Sequence, residues 1–125
     1  MANTIVWADI PVTDLGRAVK FYGAVLQAEI RTMPEMEGVA LLPGEQGDVS
    51  ADLALTENSK PGTEGTTIYL NSYGDPEGML ERAAAAGGKV LMAAKDMGPM
   101  IGSLGFFLDS EGNRIGVHKP PEGMS

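Results

Sequence analysis

The chain has 125 residues, of which 43% are hydrophobic and 21% charged, a size and composition that allow one well-covered core and argue against a disordered or membrane-embedded chain. Its formal net charge of −8, with no Lys/Arg cluster to offset it, makes nucleic acid a poor partner. It has no cysteine, which excludes disulfides, thiolate nucleophiles and cysteine-bound zinc or iron–sulfur centres.

No apolar run approaches the roughly 20 residues that cross a bilayer. The opening "MANTIVWADIPV" lacks the basic segment and apolar stretch of a secretory signal. A cytoplasmic protein without a membrane partner is therefore expected. The 17 Gly and 8 Pro suggest many turns between short strands.

In chain order, residues 4–12, "TIVWADIPV", read as a strand, and Pro11 makes a central, fully hydrogen-bonded place for that residue unfavourable. Asp14 is a good N-cap, and Leu15, Val19, Tyr22 and Leu26 follow at helical spacing, so a helix is expected over 15–26. Residues 27–32, 38–42 and 51–56 read as strands, and the polar stretch "ENSKPGTEG" (57–65) as a connector. The second half repeats the plan. "TTIYLN" is a strand, Asp75 a second N-cap with Pro76 at the first helical position, and the helix ends at the Gly87-Gly88 pair. "KVLMAA", "SLGFFLD" and "NRIGVHK" supply three more strands. The spacing from N-cap to the next strand is alike in both halves, 16 positions from Asp14 to Ile30 and 15 from Asp75 to Val90. The reading is an α+β chain of two tandem β-α-β-β-β units, about 4–57 and 65–119, within one domain spanning 1–125 and followed by a short tail, 120–125.

A duplicated β-α-β-β-β unit with "IPVTDLGRAVKFY" in the first half and "FFLDSEGNRIGVHKP" at the end resembles the vicinal oxygen chelate superfamily of glyoxalases, bleomycin-resistance proteins and extradiol dioxygenases. The resemblance covers Ile5 to Lys119. The "AAGGKVL" and "DSEGNRIG" stretches are similar to those of its small glyoxalase-like members. It implies that each unit curls its sheet into a half-barrel, that the two close around a pocket, and that enzymes of the family hold a divalent metal with four ligands from the first and last strands of each unit. Carried over one at a time, those positions fall on Trp7, Ala54, Thr66 and Gly116. None is a histidine or carboxylate, so no metal is expected there. A shift of two residues keeps the strand face and reaches Asp9, Asp52 and His118, which leaves a displaced metal site as the only cofactor to test.

His118, the one histidine, reads first as a polar residue closing a strand, next as a pocket-lining acid/base group, and last as a metal ligand. Asp9 is either a strand-edge acid or a proton-transfer group. Trp7 divides evenly between core and a stacking wall for a flat ligand. Tyr69 is expected to point into helix packing, and Tyr22 into the core. The stretch 88–102, with Met92, Met97 and Met100, is either an adaptable lid or a turn covering the sheet edge. Two functions remain open. One is metal-free binding of a small hydrophobic or aromatic molecule in a pocket lined by Trp7, Ala54, Thr66, Ile68, Arg114 and Gly116. The other is a lyase, isomerase or dioxygenase-type enzyme with His118 or Asp9 as acid/base, in which Arg114 or backbone donors would stabilise developing charge. The resemblance also implies a homodimer in which a second subunit completes the pocket.

Overall fold

The computed structural model describes residues 3–45, 48–57 and 59–122. The first unit comprises β1 (Trp7–Pro11), α1 (Leu15–Leu26), β2 (Arg31–Met33), β3 (Met36–Leu41) and β4 (Ser50–Ala54), and its sheet has the order β1-β4-β3-β2. The second comprises β5 (Ile68–Asn71), α2 (Pro76–Ala85), β6 (Lys89–Asp96), β7 (Ser103–Leu108) and β8 (Arg114–Lys119), ordered β5-β8-β7-β6. In each sheet the first and last strands of the unit pair in parallel, and the other pairings are antiparallel. The two β-α-β-β-β units read from the sequence are thus present with one topology. Among the described residues, no helix is long and apolar enough to cross a membrane.

Local chemistry sets the element ends. The Asp14 carboxylate accepts from Arg17 N at 3.0 Å, and Asp75 accepts from Gly78 N at the same distance, each satisfying an orphan donor of a first helical turn. Pro11 lies at the end of β1, an edge strand, where its missing N–H leaves no gap in a central ladder. The strand expected over 27–32 begins only at Arg31, because Gln27 takes a left-handed conformation (φ 52°) that closes α1. Gly87, at φ 107°, does the same after α2.

The core lies between the helices and one face of each sheet. α1 buries Ala18, Phe21, Tyr22 and Val25, while Leu15, Val19 and Leu26 flank this stripe half-buried. The apolar face is therefore turned slightly from the one expected, toward Phe21, with Ala18 and Val25 at its centre. Ile10, Ala51 and Leu53 reach the core from the first sheet, and Leu70, Phe107, Ile115 and Val117 from the second.

The units are clasped by residues of the DSEGN turn. Glu111 accepts from Thr13 N (2.8 Å), Asp14 N (2.9 Å) and Arg17 Nε (2.7 Å). Tyr22 donates its buried hydroxyl to Asp109 at 2.6 Å, and Asn113 donates to the Pro11 carbonyl at 2.7 Å. Arg82 of α2 donates to the Val25 carbonyl, near the end of α1.

Candidate functional site

Strand alternation sends Trp7 and Asp9 away from the core, because Ile10 and the half-buried Ala8 between them pack inward. In the parallel β1–β4 pair Trp7 stands beside Ser50 and Asp9 beside Asp52. The Trp7 indole N–H donates to Asp52 Oδ2 at 2.9 Å. Trp7 remains 43% exposed and Asp52 only 7%. Burial is the largest influence on the Asp52 carboxyl and raises it above the usual carboxylate range; the Trp7 bond opposes this and Asp9 adds to it.

Trp7 lines two concavities. One, of about 430 Å³, lies over the first sheet with Arg31, Met33, Leu41 and Ser50. The other, of about 510 Å³, runs between β1 and β5 with Thr66, Ile68 and Tyr69. A third cleft of about 320 Å³ brings Asp9, Thr66, Ile68 and Arg114 together with Lys60. Five of the expected site residues, Trp7, Asp9, Thr66, Ile68 and Arg114, are therefore grouped around the seam between the units.

The second sheet differs from expectation. Leu70 faces the core and Ile68 packs partly against it, so Tyr69 lies on the open side, not in helix packing. Its ring covers Gly116, where an added Cβ would fall 2.4 Å from Tyr69 Cδ1, and meets Phe106 at 5.7 Å between centroids. The Arg114 guanidinium sits 4.0 Å from the Phe106 ring centre and donates to Thr67 Oγ1 at 2.8 Å. The space above Gly116 is thus taken by Tyr69, not left open for a guest. Signal for this existed in "IYLN": the apolar Ile68 and Leu70 share one face, the more polar Tyr69 and Asn71 the other.

His118 stands beside Asn71 and Leu104 on β8. Its Nε2 donates to the Ile101 carbonyl at 2.7 Å, fixing the turn between β6 and β7. That turn is closed by a Met97 N to Gly102 O bond of 2.7 Å, so the Met-containing stretch forms a hairpin held by hydrogen bonds. His118 lines a concavity with Met100 and Asn71 that includes neither Asp9 nor Asp52. The displaced Asp9, Asp52 and His118 site is not assembled: among the described residues, no three His, Cys, Asp or Glu side chains could hold one ion.

Residues 4–117 match the model of the Glyoxalase/Bleomycin resistance protein/Dioxygenase superfamily. The chain belongs to that superfamily. Similar solved structures include a glyoxalase/bleomycin resistance protein from Albidiferax ferrireducens T118, at 17% identity and TM-score 0.75, covering 94% of this chain and 100% of that one. A glyoxalase-related enzyme from Fulvimarina pelagi gives 18% and 0.71, with 94% and 88% covered. A glyoxalase / bleomycin resistance protein from Catenulispora Acidiphila DSM 44928 gives 21% and 0.63, with 95% and 100% covered. No curated protein matches the sequence. These likenesses establish the glyoxalase/bleomycin-resistance fold.

The four positions at which the resemblance implies metal ligands do not suit an ion in this superfamily member. Trp7 offers only an N–H donor, already committed to Asp52. Ala54 has no donor atom. Thr66 is exposed and precedes β5. At Gly116 the Tyr69 ring occupies the path a ligating side chain would take.

Proposed function

We propose that this chain binds a small molecule with an apolar or aromatic body against Trp7, without a metal at the superfamily's four ligand positions. The observation that carries the reading is the state of Trp7. At the place of the first ligand stands an indole anchored through its N–H by Asp52, with 43% of its surface exposed and bordering two concavities of about 430 and 510 Å³. A fixed, half-exposed aromatic wall is costly to leave wet and is suited to stacking.

Trp7 is the only tryptophan, so its fluorescence reports directly on the site. Titration with nickel, zinc and manganese is expected to leave the emission unchanged. An aromatic or glutathione-conjugated small molecule is expected to change it saturably. Trp7→Ala should weaken that binding, followed by calorimetry, by about 1 kcal/mol or more. A metal response reversed by EDTA would overturn the proposal.

A second reading, an enzyme of lyase, isomerase or dioxygenase type, has one observation in its favour: Asp9 adjoins the buried Asp52, a setting that suits proton transfer. Asp9 carries that reading better than His118, whose Nε2 is committed to Ile101. Under it, Asp9→Asn abolishes turnover while Trp7→Ala mainly raises KM.

A homodimer is part of the proposal. Ile5, Val6 and Trp7 form an exposed run entering the edge strand β1, a surface suited to a second copy. Sedimentation equilibrium tests it, and a monomer at micromolar concentration would refute it.

A further inference from the structure

The Asp9–Asp52 pair has a feature that metal-free apolar binding does not use. The two residues are register partners on parallel strands, so their side chains leave the same sheet face. Asp52 is 7% exposed. Its Oδ2 accepts the Trp7 indole N–H, whereas its buried Oδ1 has no donor. The neighbouring group is the Asp9 carboxyl, an acceptor like itself. Among the described residues no lysine or arginine is ion-paired with either; the Arg17–Glu111 pair lies at the start of α1. Lys60 and Arg114 share a cleft with Asp9, but Arg114 is committed to Phe106 and Thr67. β3 brings only Leu41 opposite Asp52.

A buried carboxyl oxygen without a donor, set against a second carboxyl, favours positive charge beside the pair, such as a proton or a bound cation. Asp9 is the exposed member. Trp7 lies two residues away on the same face, roughly 7 Å along the strand. On the Trp7 side the concavity carries Glu35, Glu45 and Asp48 against the single Arg31, whereas the cleft that Asp9 lines holds Glu64 with Lys60 and Arg114. The acidic Trp7 side and the formal charge of −8 of the whole chain favour a cation approaching from that side.

We infer that Asp9 and Asp52 recognise a ligand bearing a protonated nitrogen, an amidinium or ammonium, joined to a flat apolar body. The nitrogen lies on Asp9 with Asp52 behind it, and the body stacks on Trp7. This inference rests on the small-molecule reading above and narrows its ligand class.

Calorimetric titration of the intact protein with benzamidine and with its neutral near-isostere benzamide separates charge from shape. Benzamidine is expected to bind about tenfold more tightly, the scale of one hydrogen bond to a charged group. Asp9→Asn, an exposed substitution, is expected to bring the two to parity, chiefly by weakening benzamidine. Equal affinity for both probes in the unaltered protein, or a benzamidine preference that survives in Asp9→Asn, would overturn the inference. The neutral aromatic 2-naphthol judges the underlying reading separately. If it binds and is lost in Trp7→Ala while benzamidine shows no preference, the aromatic pocket stands and only the ligand class fails. If none of the three probes binds, both fail.

Discussion

Tyr22 shows how the residues that mark the family serve the fold. Its hydroxyl reaches Asp109, 87 residues away in sequence, at 2.6 Å. The same aspartate accepts from the N–H groups of Glu111 and Asn113, both at 2.8 Å. Tyr22→Phe leaves the ring packed against Phe21 but removes the donor to a buried carboxylate. Denaturant unfolding is expected to register a loss of about 1–3 kcal/mol, and a loss near zero would mean that the contact carries no weight. The burial of Tyr22 was legible from helical spacing. Its partner was not, because nothing local in a sequence specifies a contact across so many residues. Tyr69 is expected in helix packing only if Ile68, one residue before it, faces the pocket; Leu70 in the core and Ile68 packed partly against it place Tyr69 on the open face instead.

At the scale of elements, the start of α1 depends on the other unit. Burial alone would push the Glu111 carboxyl up. The Arg17 guanidinium, the backbone N–H groups of Thr13 and Asp14 and the Ser110 hydroxyl outweigh it and bring the pKa from 4.5 to about 2. A carboxylate depressed in the folded state contributes stability that is complete above its unfolded value. That contribution is lost as pH falls from about 4.5 toward 2. Glu111→Gln is therefore expected to lower stability at neutral pH by about 2 kcal/mol. Its melting temperature should also fall less steeply than that of the unaltered protein between pH 5 and 3, and parallel curves would refute the clasp. The helix bounds, caps and strand count could be read from the sequence, since these are set by residues within a turn of each other. The docking of the two units could not, although Glu111 stood inside a motif already singled out. The Asp9–Asp52 pairing was accessible only as two acids on one face, and register alone brings them together.

For the whole molecule, charge and topology act in opposite directions. The duplicated units share a core through both helices and the inner sheet faces, and the chain holds 17 acidic against 9 basic residues. The Arg17–Glu111 pair is the ion pair seen among the described residues, so most of the negative charge repels without a partner. Self-repulsion of this kind acts over distances near the Debye length, about 10 Å at 0.1 M salt and about 30 Å at 0.01 M. Sodium chloride added from about 0.01 M to about 0.2 M is therefore expected to raise the melting temperature by a few degrees, because it screens repulsion more than it weakens one clasp. In Glu111→Gln, where the clasp is gone and one negative charge is removed, the rise should persist. A fall in melting temperature over that range would mean that local ion pairs, and not apolar burial against net repulsion, set the stability of this fold.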